Sequence, residues 1–234
     1  MRKQIVTVAL LSMLILAVMT GCGVLQEPAA PSEPIEAVPL AAETPVADAA
    51  AASETTGDVV TFQISPADSQ VRFELDEDLR GNRFTVVGVT DQIAGELALD
   101  FADLSTAQVG VIRINARTLA TDNDFRNRAI QNNILETGDY EFISFAPTAV
   151  SGLSGSVTVG EAVSFSITGD LTIRDITHEV TFEVTATAVS DTQITGTATA
   201  TVLRSDYDLN IPEVPNVANV EEEVDLTIDF VANS

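Results

Sequence analysis

From Val59 onward, apolar and polar residues alternate with a period of two over most of the chain, the pattern of strands that bury one face. Phe165, Ile167, Gly169, Leu171 and Ile173 alternate with Ser164, Ser166, Thr168, Asp170, Thr172 and Arg174. After a turn at Asp175-Ile176, Val180, Phe182, Val184, Ala186 and Ala188 alternate with Glu179, Thr181, Glu183, Thr185 and Thr187. The theme repeats at Val71/Phe73/Leu75, Ile93/Gly95/Leu97/Leu99/Phe101, Gly110/Ile112/Ile114/Ala116, Ile194/Gly196/Ala198/Ala200/Val202 and Val224/Leu226/Ile228/Phe230. One apolar face and one Thr/Ser/acidic face per run predict antiparallel strands packed on one side. The turn spacing fits an all-β barrel or sandwich of about eight strands. One stretch departs from the pattern: Phe125, Ile130 and Ile134 fall at helical spacing, with Asp122 or Asp124 as the expected cap. A short helix over one end of the barrel, acting as a lid, is the expectation.

The N-terminal quarter reads differently. Arg2 and Lys3 precede an apolar run from Ile5 to Val18, then Met19-Thr20-Gly21-Cys22. A basic start with so short an apolar run is the pattern of a secretory signal peptide, and the last four residues resemble the cleavage box of bacterial lipoproteins. That resemblance implies a signal over residues 1–21, lipid attachment at Cys22, and an extracytoplasmic, membrane-anchored location at the cell surface or in the periplasm. Residues 22–58 are rich in Pro, Ala and Glu and carry no base and no aromatic. They are expected to be a disordered tether, leaving residues 59–234 as one domain.

Charge and composition narrow the partners. The chain has 35 acidic against 11 basic residues and one histidine. Nucleic acid is excluded as a partner, because phosphate neutralisation needs clustered Lys and Arg. A single cysteine and a single histidine exclude a Cys/His zinc cluster and an internal disulfide. The acidic clusters Asp122-Asn123-Asp124, Asp76-Glu77-Asp78 and Glu221-Glu222-Glu223 read as solvated charge; the first lacks the glycine and distal glutamate of an EF-hand loop. His178 begins a strand with Glu179 beside it, and strand neighbours point to opposite faces. No nucleophile elbow or phosphate-binding loop is present, so no catalytic residue, metal or cofactor is expected.

Five segments, which fall in the family's order along the chain, resemble the YceI-like family. Gly169 to Val180 is similar to its G-x-L-T-I-R-G-V-T-K/H-x-V segment, and Ser69 to Phe73 to its opening S-x-V-x-F strand. Thr118 to Arg126 with Tyr140 to Phe145 resembles its helix and following strand. Arg204-Ser205-Asp206-Tyr207 resembles its R-S-D-F-G turn, and Val224 to Ile228 its closing strand. The likeness spans residues 60–232. Departures are Arg126-Asn127-Arg128-Ala129-Ile130 where R-D-x-H-L is frequent, Glu141 for proline, and Asp175 for the turn glycine.

The resemblance implies a lipocalin-like antiparallel barrel whose interior takes an isoprenoid or other long-chain fatty amphiphile. Strand parity then proposes Phe73, Ile112, Ile114, Phe142, Phe165, Ile167, Leu171, Phe182 and Val184 as ligand-lining, with Ile130 and Ile134 on the lid. Arg126 and Arg128 are candidates for a ligand's head group, or for pairing with nearby acids. Small residues on the apolar faces (Gly95, Gly110, Ala116, Gly169, Ala186, Gly196, Ala198, Ala200) leave room for a cavity, or else ease tight packing. The alternative to a binding protein is an adhesion or envelope-scaffolding module on the same barrel with a filled interior.

Overall fold

The computed structural model describes residues 26–32, 34–40 and 59–234. The expected signal peptide and Cys22 lie outside these residues. The strands are β1 (Val60–Ile64), β2 (Gln70–Leu79), β3 (Asn82–Thr90), β4 (Ile93–Ala94), β5 (Glu96–Asp100), β6 (Asp103–Val109), β7 (Ile112–Asn115), β8 (Phe142–Ser151), β9 (Ala162–Ile173), β10 (Ile176–Ser190), β11 (Gln193–Leu203), β12 (Val217–Ala218) and β13 (Glu223–Asn233). All 13 join in one sheet, in the order β4-β7-β8-β9-β10-β11-β13-β1-β5-β6, with β2 on β13 and carrying β3 and β12. β4, at one end of that order, runs across Gly95 into β5, second from the other end. The sheet therefore curls around its apolar face.

The expected antiparallel all-β body is present, with more strands than the pattern predicted because two are only two residues long and others do not alternate. In β3, Val86 is buried while Val87 is 38% exposed, so valines occupy both faces and the period is hidden. The β9–β10 hairpin turns at Arg174-Asp175, one residue earlier than expected, with Ile173 opposite Ile176. Arg174 takes a left-handed φ of 56°, a conformation that costs a non-glycine residue energy. Its guanidinium is anchored on four acceptors: the Ile134 carbonyl (3.3 Å), Glu136 (3.1 Å), the Tyr207 carbonyl (3.1 Å) and the Asp208 carbonyl (3.2 Å). This arginine thus ties the hairpin to the two loops beside it.

Helix α1 (Asp124–Ala129) continues into a π-helical turn over Ile130–Ile134. Neither aspartate is its cap. Asn123 accepts from the amides of Phe125 (2.9 Å) and Arg126 (3.1 Å), as a neutral Asx cap does. Ile130 is buried and Ile134 packs against the core, whereas Phe125, expected on the same apolar face, is 67% exposed.

Within the segment expected to be a tether, residues 26–32 and 34–40 lie along the domain as a strap. Asn132 donates to the Gln26 carbonyl (2.8 Å), Arg117 to the Ala30 carbonyl (3.0 Å), the Ser32 amide to Glu141 (2.8 Å) and the Leu40 amide to Glu96 (2.8 Å). Ile35 is 8% exposed. Leu40 covers Gly110, where an added Cβ would come within 3.2 Å of the leucine side chain. Extended segments rich in proline keep their amides and carbonyls free for such partners, and these partners are supplied by the domain.

Candidate functional site: an apolar cavity

Phe145 and Phe182 meet edge to face at 5.0 Å in the interior, and Phe62 and Phe101 at 6.1 Å, a favoured aromatic geometry. Beside these rings lies a cavity of about 130 Å³, walled by β5, β6, the first half of β9, the second half of β10 and the start of β11. Among the described residues Gln108 and Glu161 are its only polar wall residues, and both are solvent-exposed. The edge strand β6 and the loop 152–161 form one side of the cavity, where Gln108 and Glu161 reach solvent. Two backbone hydrogen bonds hold that loop to the β5–β6 edge: Leu104 N–H to the Gly155 carbonyl (2.7 Å) and Val157 N–H to the Phe101 carbonyl (3.0 Å). Leu153 and Val157 of the loop face the cavity. Gly152, Gly155 and Gly160 all have left-handed φ, from 67° to 92°, so each turn in this loop needs glycine.

Of the residues proposed as ligand-lining, Ile112, Phe165, Ile167, Phe182 and Val184 form part of the cavity wall. Ile114, Ile130 and Leu171 are buried elsewhere in the core, and Phe73 and Ile134 pack against it. Phe142 is on the other face. Ile112 pairs with Phe145 and Ile114 with Ile143, so the intervening parity of β8 points outward, and the Arg113 guanidinium lies 3.9 Å above the Phe142 ring. Sequence parity missed β6 and the loop as wall elements. Leu104, Ala107 and Val109 do not alternate, and a register irregularity separates Ala98 from Asp100 on the partner strand.

The small residues split into two groups. Ala186 and Ala198 line the cavity. The glycines do not, because their space is taken by neighbouring side chains: Ile112 packs on Gly95, Phe73 on Gly88, Phe145 within 2.8 Å of a Cβ position on Gly169, and Phe230 within 2.6 Å of one on Gly196. Phe73 with Gly88 and Phe230 with Gly196 are directly opposed cross-strand pairs, so each ring lies over its glycine partner.

The residues proposed for the head group and the lid lie away from the cavity. Helix α1 and its π turn sit at the opposite end of the barrel, where Arg174 of the β9–β10 turn reaches Ile134 and Glu136. Neither Arg126 nor Arg128 lines the cavity. Arg126 pairs with Asp122 (2.6 Å) and with Glu77 (3.1 Å). Glu77 is 6% exposed, and a carboxylate so buried requires a charge partner. The remaining acidic clusters are similarly engaged: Asp76 by Arg83 and Thr85, Asp78 by Asn219, Glu221 by Arg83 and Glu222 by Arg204. Among the described residues no group of three potential metal ligands converges. His178 is exposed and meets the Tyr207 ring edge to face at 5.2 Å.

A curled antiparallel sheet enclosing an apolar cavity, with an edge strand in its wall, defines a lipocalin-like β protein. Residues 62–232 match the YceI-like domain, and the chain belongs to that family. No curated protein sequence matches it. Among solved structures it resembles a polyisoprenoid binding domain from Saccharophagus degradans, described as implicated in plant cell wall breakdown: 13% identity, TM-score 0.60, covering 74% of this chain and 98% of that one. BcnA of Burkholderia cenocepacia is 18% identical, with TM-score 0.57 and coverage of 73% and 99%. The YceI protein of Campylobacter jejuni is 15% identical, with TM-score 0.50 and coverage of 61% and 81%. At these identities the likeness is one of fold.

Proposed function

We propose that this protein is a membrane-anchored, extracytoplasmic binding protein. It sequesters or carries an isoprenoid or other long-chain amphiphile, with the apolar part in the cavity and no catalytic step. The observation that carries this reading is the wall itself: among the described residues Glu161 is its one ionisable side chain, and it is solvent-exposed. Such a surface offers a hydrocarbon nothing but burial, at roughly 0.8 kcal/mol per methylene. A chain of about 10–20 carbons would gain about 8–16 kcal/mol gross against a cost of about 4–15 kcal/mol for association and ordering. The polyisoprenoid binding described for the Saccharophagus relative supports the same ligand class. The anchor rests on the resemblance of Met19 to Cys22 to a lipoprotein box.

The volume sets a condition. A cavity of about 130 Å³ compares with apolar cavities of about 150 Å³ that take a benzene-sized guest. A long chain therefore enters only if the wall yields. The loop 152–161 is the element placed to do so, being attached to the β5–β6 edge by two backbone hydrogen bonds.

The test is to purify the protein from its native host, denature it, extract with organic solvent and identify co-purified lipids by mass spectrometry, alongside polyprenyl titration of the delipidated protein. An Ala198→Phe variant, which fills the cavity, is expected to keep its fold and lose binding. No extracted lipid together with no polyprenyl binding would overturn the proposal and leave the scaffolding role. The rings packed over Gly88, Gly169 and Gly196 already give that role a well-filled centre.

A further inference from the structure

The strap begins at the helix-bearing end of the barrel. Its first described residue, Gln26, is hydrogen-bonded by Asn132 in the π turn that follows α1. Only three residues separate Gln26 from Cys22, so the chain between them spans at most about 14 Å when fully extended. Were residues 22–58 an undocked tether, the same limit would be about 120 Å. At this end α1 exposes Phe125 to 67%, the highest value of any large hydrophobic side chain among the described residues. The cavity lies toward the other end of the strands, with Val163 and Ala188 in its wall.

From these placements we infer that the α1 end of the domain faces the bilayer, with Phe125 seated in the lipid interface and the cavity end turned away. The inference rests on the proposed lipid attachment at Cys22. A phenyl ring in the interface buries apolar area that is otherwise in water. The flanking Asp122 and Asp124, with Arg126 and Arg128 one turn on, provide no net basic charge, so a zwitterionic surface is the partner and anionic lipid is not required. The strap makes this orientation persistent, since its contacts from Asn132 through Arg117 and Glu141 to Glu96 run along the domain away from the anchor.

The chain contains no tryptophan, so Phe125→Trp gives a single reporter, and Val189→Trp, 48% exposed at the cavity end, a matched control. The processed lipoprotein, reconstituted in phosphatidylcholine vesicles with brominated acyl chains, is followed by flotation and fluorescence. Expected are flotation with the vesicles, loss of most of the emission and a blue shift at position 125, and little quenching at position 189. Replacing Ser32 by Pro, which removes the donor to Glu141, is expected to reduce the difference between the two positions. A protein that floats but is quenched equally, or not at all, at both positions overturns the orientation while leaving the anchor intact. A protein that does not float overturns the anchor, and the orientation with it.

Discussion

Arg117, Arg126, Arg174 and Arg204 perform one physical task. Each side chain is largely covered and carries its charge to acceptors from separate segments. Arg204 reaches the Glu221 and Leu209 carbonyls and the Glu222 carboxylate at 2.8, 3.0 and 2.6 Å. Arg117 binds the Thr137 and Gly138 carbonyls, Ala30 of the strap and Glu141. The planar fork of guanidinium suits such multiple contacts where an ammonium would not. The Arg126–Glu77 pair permits a direct test of role. Arg126→Ala leaves Glu77 buried without its partner and is expected to cost about 3 kcal/mol, lowering Tm by roughly 6–12 °C, while polyprenyl affinity measured below the transition is unchanged. A loss of affinity with no change in Tm would restore Arg126 as a head-group contact. The residue types of this network are plain in the sequence; their partners are not. Arg126 and Glu77 are 49 positions apart, and only the fold brings them together.

At the scale of elements, the long hairpins were legible because each buries one face along its whole length. β9, β10, β11 and β13 alternate cleanly, and their pairings run in unbroken register for most of their residues. β6 and the loop 152–161, which complete the cavity wall, were not legible. They lie at an edge, and their apolar residues meet the cavity without a period. The strap was hidden for another reason: its polar contacts are mostly made by its backbone, which a sequence of Pro, Ala and Glu does not advertise. Its hold depends on pH through Glu141. Burial opposes ionisation of that carboxyl, but hydrogen bonds from Ser32 and Asn115 and the charge of Arg117 outweigh it and hold its pKa below the ordinary 4.5. A depressed folded-state value means that the contact stabilises the folded form fully above the ordinary value and is lost as pH falls through the lowered one. Protection of the Ser32 amide against hydrogen exchange is therefore expected from pH 7 down to about 5, and its selective loss in more acidic solution while β9–β11 stay protected. Equal loss in the strap and the strands would refute a local pH response.

At the scale of the molecule, the acids form an outer coat that is repeatedly bridged by hydroxyls, as in Thr197 to Asp229 (2.7 Å) and Thr201 to Asp225 (2.6 Å). The interior is graded from ring-packed at the centre to hollow at one end. The basic residues are few and, within the domain, six of the nine arginines are held in ion pairs, and this has a bearing on digestion. Beyond Lys3 there is no lysine, and no arginine occurs between Arg2 and Arg72 or after Arg204. A trypsin-like protease thus meets no cleavable bond anywhere in residues 22–71, although such stretches are ordinarily cut first. Within the domain Arg80 stands exposed in the β2–β3 turn, left-handed at φ 54°, while Arg72, Arg83, Arg117, Arg126, Arg174 and Arg204 are held in ion pairs. Limited trypsinolysis is expected to nick first after Arg80, with both fragments remaining associated through the sheet. Early release of the whole domain would contradict this. The ion pairs that hold the loops together thus also leave few arginines open to such a protease, and a domain anchored as proposed above would stay attached while it is nicked.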